Sequence, residues 1–163
     1  MIVAGTGHRP LGLGGYGAEH IAPVFKLVYQ WLQENQPELV LSGMALGFDT
    51  ILADAAQILK IPFHAYIPCL EHSSKWPTDS HITYDRLLEK AKRVIFTSYA
   101  PYSSTCMQKR NEALVDDCHF LLAYWNGSRG GTKNCIDYAI SQKVPMINLF
   151  LRKPAEGLEP STA

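Results

Sequence analysis

The sequence has no charge excess, no metal-type cysteine pattern and no long apolar run. Fifteen Lys and Arg balance fifteen Asp and Glu, so the formal net charge is zero. A general polyanion binder shows a basic excess, so nucleic acid is not expected as a partner. The four cysteines, Cys69, Cys106, Cys118 and Cys135, include no C-x-x-C pair. Cys69 and His72 form one close pair with no second pair to answer it. A structural zinc needs four converging ligands, so no metal site is expected. No apolar run approaches the ~20 residues that cross a bilayer, and no secretory signal is visible. The chain reads as cytoplasmic, with reduced thiols and no membrane association. Nothing calls for a cofactor.

What is present suits one packed domain. The chain has 163 residues, 47% of them hydrophobic, enough for a core without staples. The zero charge hides an asymmetry. Residues 1–80 carry four cations and seven anions, residues 81–163 eleven and eight. Cationic sites are therefore expected in the second half.

Short apolar runs alternate with amphipathic stretches. Met1–Ala4, Leu39–Leu41, Phe63–Ile67, Arg93–Thr97, His119–Tyr124 and Met146–Phe150 read as strands. Glu19–Glu34, Phe48–Leu59, Tyr84–Lys92, Cys106–Asp117 and Lys133–Gln142 read as helices. Such alternation predicts an α/β, Rossmann-like three-layer fold with a mostly parallel sheet of about six strands. Residues 1–150 form the domain and 151–163, rich in Pro, Glu, Ser and Thr, a flexible tail. In open parallel sheets ligands sit beyond the carboxyl ends of strands. The Gly-rich segments follow the first, second, fourth and fifth strands, so four loops are expected to converge.

Four segments carry the candidate chemistry. Gly5, Thr6 and Gly7 let backbone approach a ligand, with His8 beside them and Arg9 placed to hold phosphate or carboxylate. Ser42, Gly43, Met44 and Gly47 surround a helix start, where free N–H groups favour anions. Asp49 falls in the first helical turn and is the candidate catalytic carboxylate. Lys109, Arg110 and Asn111 place two cations and an amide on one helical turn. Gly130, Gly131 and Thr132 form a phosphate cradle at a helix N-terminus, and Trp125 and Asn126 offer stacking and hydrogen bonding to a base.

In combination these segments resemble the YpsA-like branch of the SLOG superfamily, which includes DNA processing protein A and the LOG phosphoribohydrolases. The resemblance covers nearly the whole chain to about Phe150 and implies a Rossmann-like fold with a pocket for a nucleotide-derived ligand. Ser42–Asp49 is similar to the SGxAxGxD element of DNA processing protein A. Gly130-Gly131-Thr132 is similar to the end of the LOG motif PGGxGTxxE, but Cys135 stands where that motif has Glu, and one residue before the Thr is missing.

Three functions follow in order. The first is a sensor or sequestering module for a small nucleotide-derived ligand. The second is an N-glycosidase or phosphoribohydrolase relying on Asp49. The third is single-stranded DNA binding resembling that of DNA processing protein A. Homo-oligomerisation is an expectation by analogy with doubly wound domains.

Overall fold

The computed structural model describes residues 1–152. Most of the expected tail, residues 153–163, lies outside the described residues.

Six parallel strands form one sheet in the order β4-β3-β2-β1-β5-β6. They are β1 (Ile2–Gly7), β2 (Leu39–Ser42), β3 (Phe63–Ile67), β4 (Arg93–Phe96), β5 (Phe120–Tyr124) and β6 (Met146–Asn148). The central strands bury both faces by simple alternation. Val3, Val40, Ala65 and Leu122 face one core; Ala4, Leu41, Tyr66 and Leu121 face the other. The first core is covered by α2 (Ala18–Asn35), α3 (Phe48–Ile58) and α4 (Thr78–Lys90), after a short α1 (Pro10–Leu13). The second is covered by α5 (Ser104–Asp116) and α6 (Gly131–Ser141).

The two boundaries that differ most from the sequence reading, those of β1 and α4, do so for clear reasons. β1 runs to Gly7, because Gly5, Thr6 and Gly7 pair with Leu122, Ala123 and Tyr124 of β5. A Cβ on Gly5 would overlap Leu52, and one on Gly7 would overlap Phe48. These glycines thus let α3 lie directly on β1. α4 begins at Thr78, directly after Pro77, with Asp79 in its first turn. Proline is tolerated at a helix start, and an acid there suits the helix dipole.

The acids that end α5 also find partners. Asp117 accepts a hydrogen bond from the Tyr66 hydroxyl at 2.6 Å, and Asp116 one from Tyr138 at 2.8 Å. Among the described residues no helix is long and apolar enough to cross a membrane.

Candidate functional site

The chain winds from β1 outward to β4, then crosses back to place β5 on the other side of β1. Strand order therefore reverses between β1 and β5, where doubly wound sheets open a crevice at their carboxyl ends. A cavity of about 490 Å³ lies there, walled by the end of β1, by α5 and by the start of α6.

The turn between β2 and α3 closes one wall. The Ser42 hydroxyl donates to the Asp49 carbonyl at 2.7 Å and accepts from the Met44 N–H at 3.1 Å. Ser42 is fully buried and holds the turn shut. Met44 has φ of 58°, a left-handed conformation rare for a side chain of this size, and its side chain packs in the first core. Gly47 has φ of 92°, and a Cβ there would sit 2.5 Å from the His8 carbonyl oxygen. Only glycine fits both constraints.

That turn presents Asp49 to the crevice. Asp49 is buried and accepts from the Ala45 N–H at 3.3 Å. Burial pushes its carboxyl up, against the opposing pull of Arg110. Arg110 is also buried, and burial favours loss of its charge while Asp49 counters that. Its Nη1 donates to the Gly43 carbonyl at 2.5 Å, and its Nε to Asn111 Oδ1 at 2.9 Å. A Cβ on Gly43 would lie 2.6 Å from Arg110 Nη1 and 2.9 Å from Asp49 Oδ2. Gly43 is the gap that lets this buried pair of charges assemble.

Across the switch point, β1 and β5 are laced together beyond their ends. The His8 N–H donates to the Tyr124 carbonyl at 3.3 Å, and the Asn126 N–H donates to His8 Nε2 at 2.9 Å. Nε2 must be unprotonated to accept, so His8 is neutral here with its proton on Nδ1. Burial lowers its basicity in the same sense. Trp125 does not reach the crevice. Its indole N–H donates to the Ser128 carbonyl at 2.7 Å and its ring packs against the second core.

The start of α6 is open. Gly130 precedes it, and no side chain caps it. By contrast, Ser103 caps α5 by accepting from the Cys106 N–H at 3.1 Å. Gly131 lines the crevice, and nothing lies within 4 Å of a Cβ placed there. The unbonded N–H groups of that first turn, together with exposed Arg9, make a cationic mouth.

The structure thus brings together Gly5, Thr6, Gly7, His8 and Arg9 with Asp49, Arg110 and Asn111, and with Gly130, Gly131 and Thr132. Ser42, Gly43, Met44 and Gly47 lie behind that surface as the frame of the turn. Trp125 and Asn126 lie beside the crevice. Lys109 is exposed and lines an adjoining, more open groove between α5 and α6. Lys109 and Arg110 are adjacent in sequence, so they point about 100° apart on a helix. Ala45, Tyr102, Met107 and Gln108 also line the crevice and were missed. The signal for Met107 was available: it precedes Arg110 by three residues, and so shares its face of the helix.

A Rossmann-like domain with a crevice at its strand-order reversal defines the class. The YpsA family model, described as the YspA SLOG family, matches residues 3–148, and the chain belongs to that family. An uncharacterised SPbeta prophage-derived protein, YoqJ of Bacillus subtilis (strain 168), is 32% identical over 124 residues, 66% of this chain and 71% of that one. Two solved structures share the fold. DNA processing protein A from Helicobacter pylori, whose structure is described in terms of its single-stranded DNA binding mode, aligns with TM-score 0.66 and 17% identity. That alignment covers 90% of this chain and 63% of that one. DNA processing protein A from Streptococcus pneumoniae aligns with TM-score 0.66 and 18% identity, covering 96% and 53%. The chain spans less than two thirds of either protein.

These likenesses correct one expectation. Nucleic acid was set aside because the net charge is zero, yet this fold occurs in a protein described as binding single-stranded DNA. Net charge sums the whole surface, whereas a strand is held by local cations and stacking side chains.

Proposed function

We propose that the crevice binds a small nucleotide-derived ligand through its phosphate, the protein acting as a sensor or sequestering module. One observation carries this reading: Arg9, the Asp49–Arg110 pair and the uncapped start of α6 converge on one crevice of about 490 Å³. Cations and helical N–H groups favour an anion. Asp49 is suited to accept a hydrogen bond from a sugar hydroxyl. The test is mass spectrometry of small molecules released from the purified, denatured protein. A nucleotide in stoichiometric amount is expected, and its chemical form separates substrate from product.

Turnover is read in a second experiment, incubation of the native protein with nucleoside monophosphates. Asp49 is the one carboxylate lining the crevice among the described residues. If the protein frees base from nucleoside monophosphates, and Asp49→Asn abolishes this, the module is a glycosidic hydrolase.

A second reading is single-stranded DNA binding. The crevice shares Ser104, Gln108 and Asn134 with the groove that holds Lys109, and Tyr102 stands exposed at its edge. A strand would find a continuous path with one stacking platform. A mobility shift that weakens steeply with salt supports it; no shift at about 50 mM salt excludes it.

A further inference from the structure

A second cavity, also of about 490 Å³, lies on the opposite side of the Leu46–Gly47 turn. The two cavities have neighbouring residues in their walls. Arg9, Ala45 and Asp49 face the crevice, while Pro10, Leu46 and Thr50 face the second cavity. The chemistry of the two differs.

One wall of the second cavity is apolar and aromatic, built by Tyr16, Ile21 and Phe25 ahead of and within α2. The facing wall carries two carboxylates, Asp54 of α3 and Asp79 of α4. No Lys, Arg or His lines the cavity among the described residues. Asp54 is engaged by Arg86 at 3.1 Å. Asp79 is exposed and makes no ion pair among the described residues. The cavity therefore combines a lipophilic floor, two aromatic rings and one exposed carboxylate that has no ion-pair partner among the described residues. An anion would be repelled there, and a cation would gain from Asp79 an attraction that a purely apolar ligand lacks.

We propose that this cavity binds a small organic cation with an apolar body, an arylalkyl- or alkylammonium. Its body lies against Ile21, Phe25 and Tyr16, and its ammonium group faces Asp79. Removal of the apolar body from water supplies the attraction, and the ammonium gains from the carboxylate and the ring faces. The site stands whatever the first crevice holds.

The test titrates three probes of closely matched shape into the isotope-labelled full chain: phenethylammonium, 2-phenylethanol and 3-phenylpropionate. Amide shifts are followed by two-dimensional nuclear magnetic resonance. The expected result is shifts at Tyr16, Gly47, Asp79 and Ser80, with the cation binding about tenfold tighter than the alcohol and the carboxylate weakest. Asp79→Asn should bring the cation down to the level of the alcohol. Should that variant fail to fold, Ser80→Lys puts a cation at the same rim and should abolish ammonium binding. Equal affinity for all three probes overturns the proposal, as do shifts confined elsewhere or no shift at about 10 mM, near the limit for fragments of this size.

Discussion

Arg110 Nη1 donates to the Gly43 carbonyl at 2.5 Å, tying α5 to the β2–α3 turn across 67 residues of sequence. The same guanidinium exerts its charge on the buried carboxylate of Asp49, and both groups occupy space that a Gly43 side chain would need. The site is thus built on a charge pair that the fold must keep together.

Arg110→Met should destabilise the protein by roughly 1.5–3 kcal/mol, because it removes the charged donor from the buried Gly43 carbonyl and the neighbouring positive charge from buried Asp49. Adding Asp49→Asn should recover part of that loss, since the two residues answer each other. Denaturant unfolding of both single variants and the double variant checks it. Additive losses would mean that the pair is not coupled.

Gly5→Ala and Gly7→Ala should each cost about 1–3 kcal/mol by driving a methyl into Leu52 or Phe48. Gly131→Ala meets open space, so its stability should stay within about 0.5 kcal/mol of the parent. Thermal unfolding separates these outcomes. Equal tolerance at all three positions would contradict the close seating of α3 on β1.

His72 is 6% exposed, packs edge-on against Trp76 and Tyr84, and neither ring nitrogen has a hydrogen-bond partner among the described residues. Burial, with the nearby charges of Arg110 and Arg9, lowers its pKa to about 3 from an ordinary value of 6.5. Between those values the unfolded chain takes up a proton that the folded chain refuses. Stability from this residue is therefore complete above pH 6.5 and is lost as pH falls toward 3. The slope should approach about 1.4 kcal/mol per pH unit. His72→Phe fills the same aromatic box and should flatten the profile, while changing stability at neutral pH by no more than about 1 kcal/mol. Urea titrations across the acid range measure this. An unchanged acid slope in the variant would remove His72 as its source.

Much of the fold was legible because period and punctuation agree in this chain. β3 lies where its apolar run places it, and α3 starts at Phe48 as the preceding glycines suggest. Legibility failed where tertiary contacts decide. Gly5 and Gly7 line the crevice as a ligand loop would, but they also extend the central strand and seat α3, which the sequence did not signal. Composition cannot separate a glycine freed for a ligand from one crowded by a leucine. Lys109 and Arg110 are equivalent as letters, yet one is exposed and the other lies in the core of the site. Trp125 suggests a stacking platform, but it stands outside the crevice lining, where its indole N–H donates to the Ser128 carbonyl. His72 gave no signal beyond its nearness to Cys69, because its isolation depends on Trp76 and Tyr84 closing over it.

The account rests most directly on a phosphate-bearing ligand held at Arg9. Arg9 is exposed, so Arg9→Ala should fold normally and isolate the effect on binding. The decisive measurement is calorimetric titration of the parent and Arg9→Ala chains with adenosine monophosphate, adenosine diphosphate ribose and adenosine. The account predicts that the parent prefers both phosphorylated compounds to adenosine, and that Arg9→Ala weakens them by roughly 1.5–3 kcal/mol without affecting adenosine. Equal affinity for all three compounds, unchanged in Arg9→Ala, would contradict it.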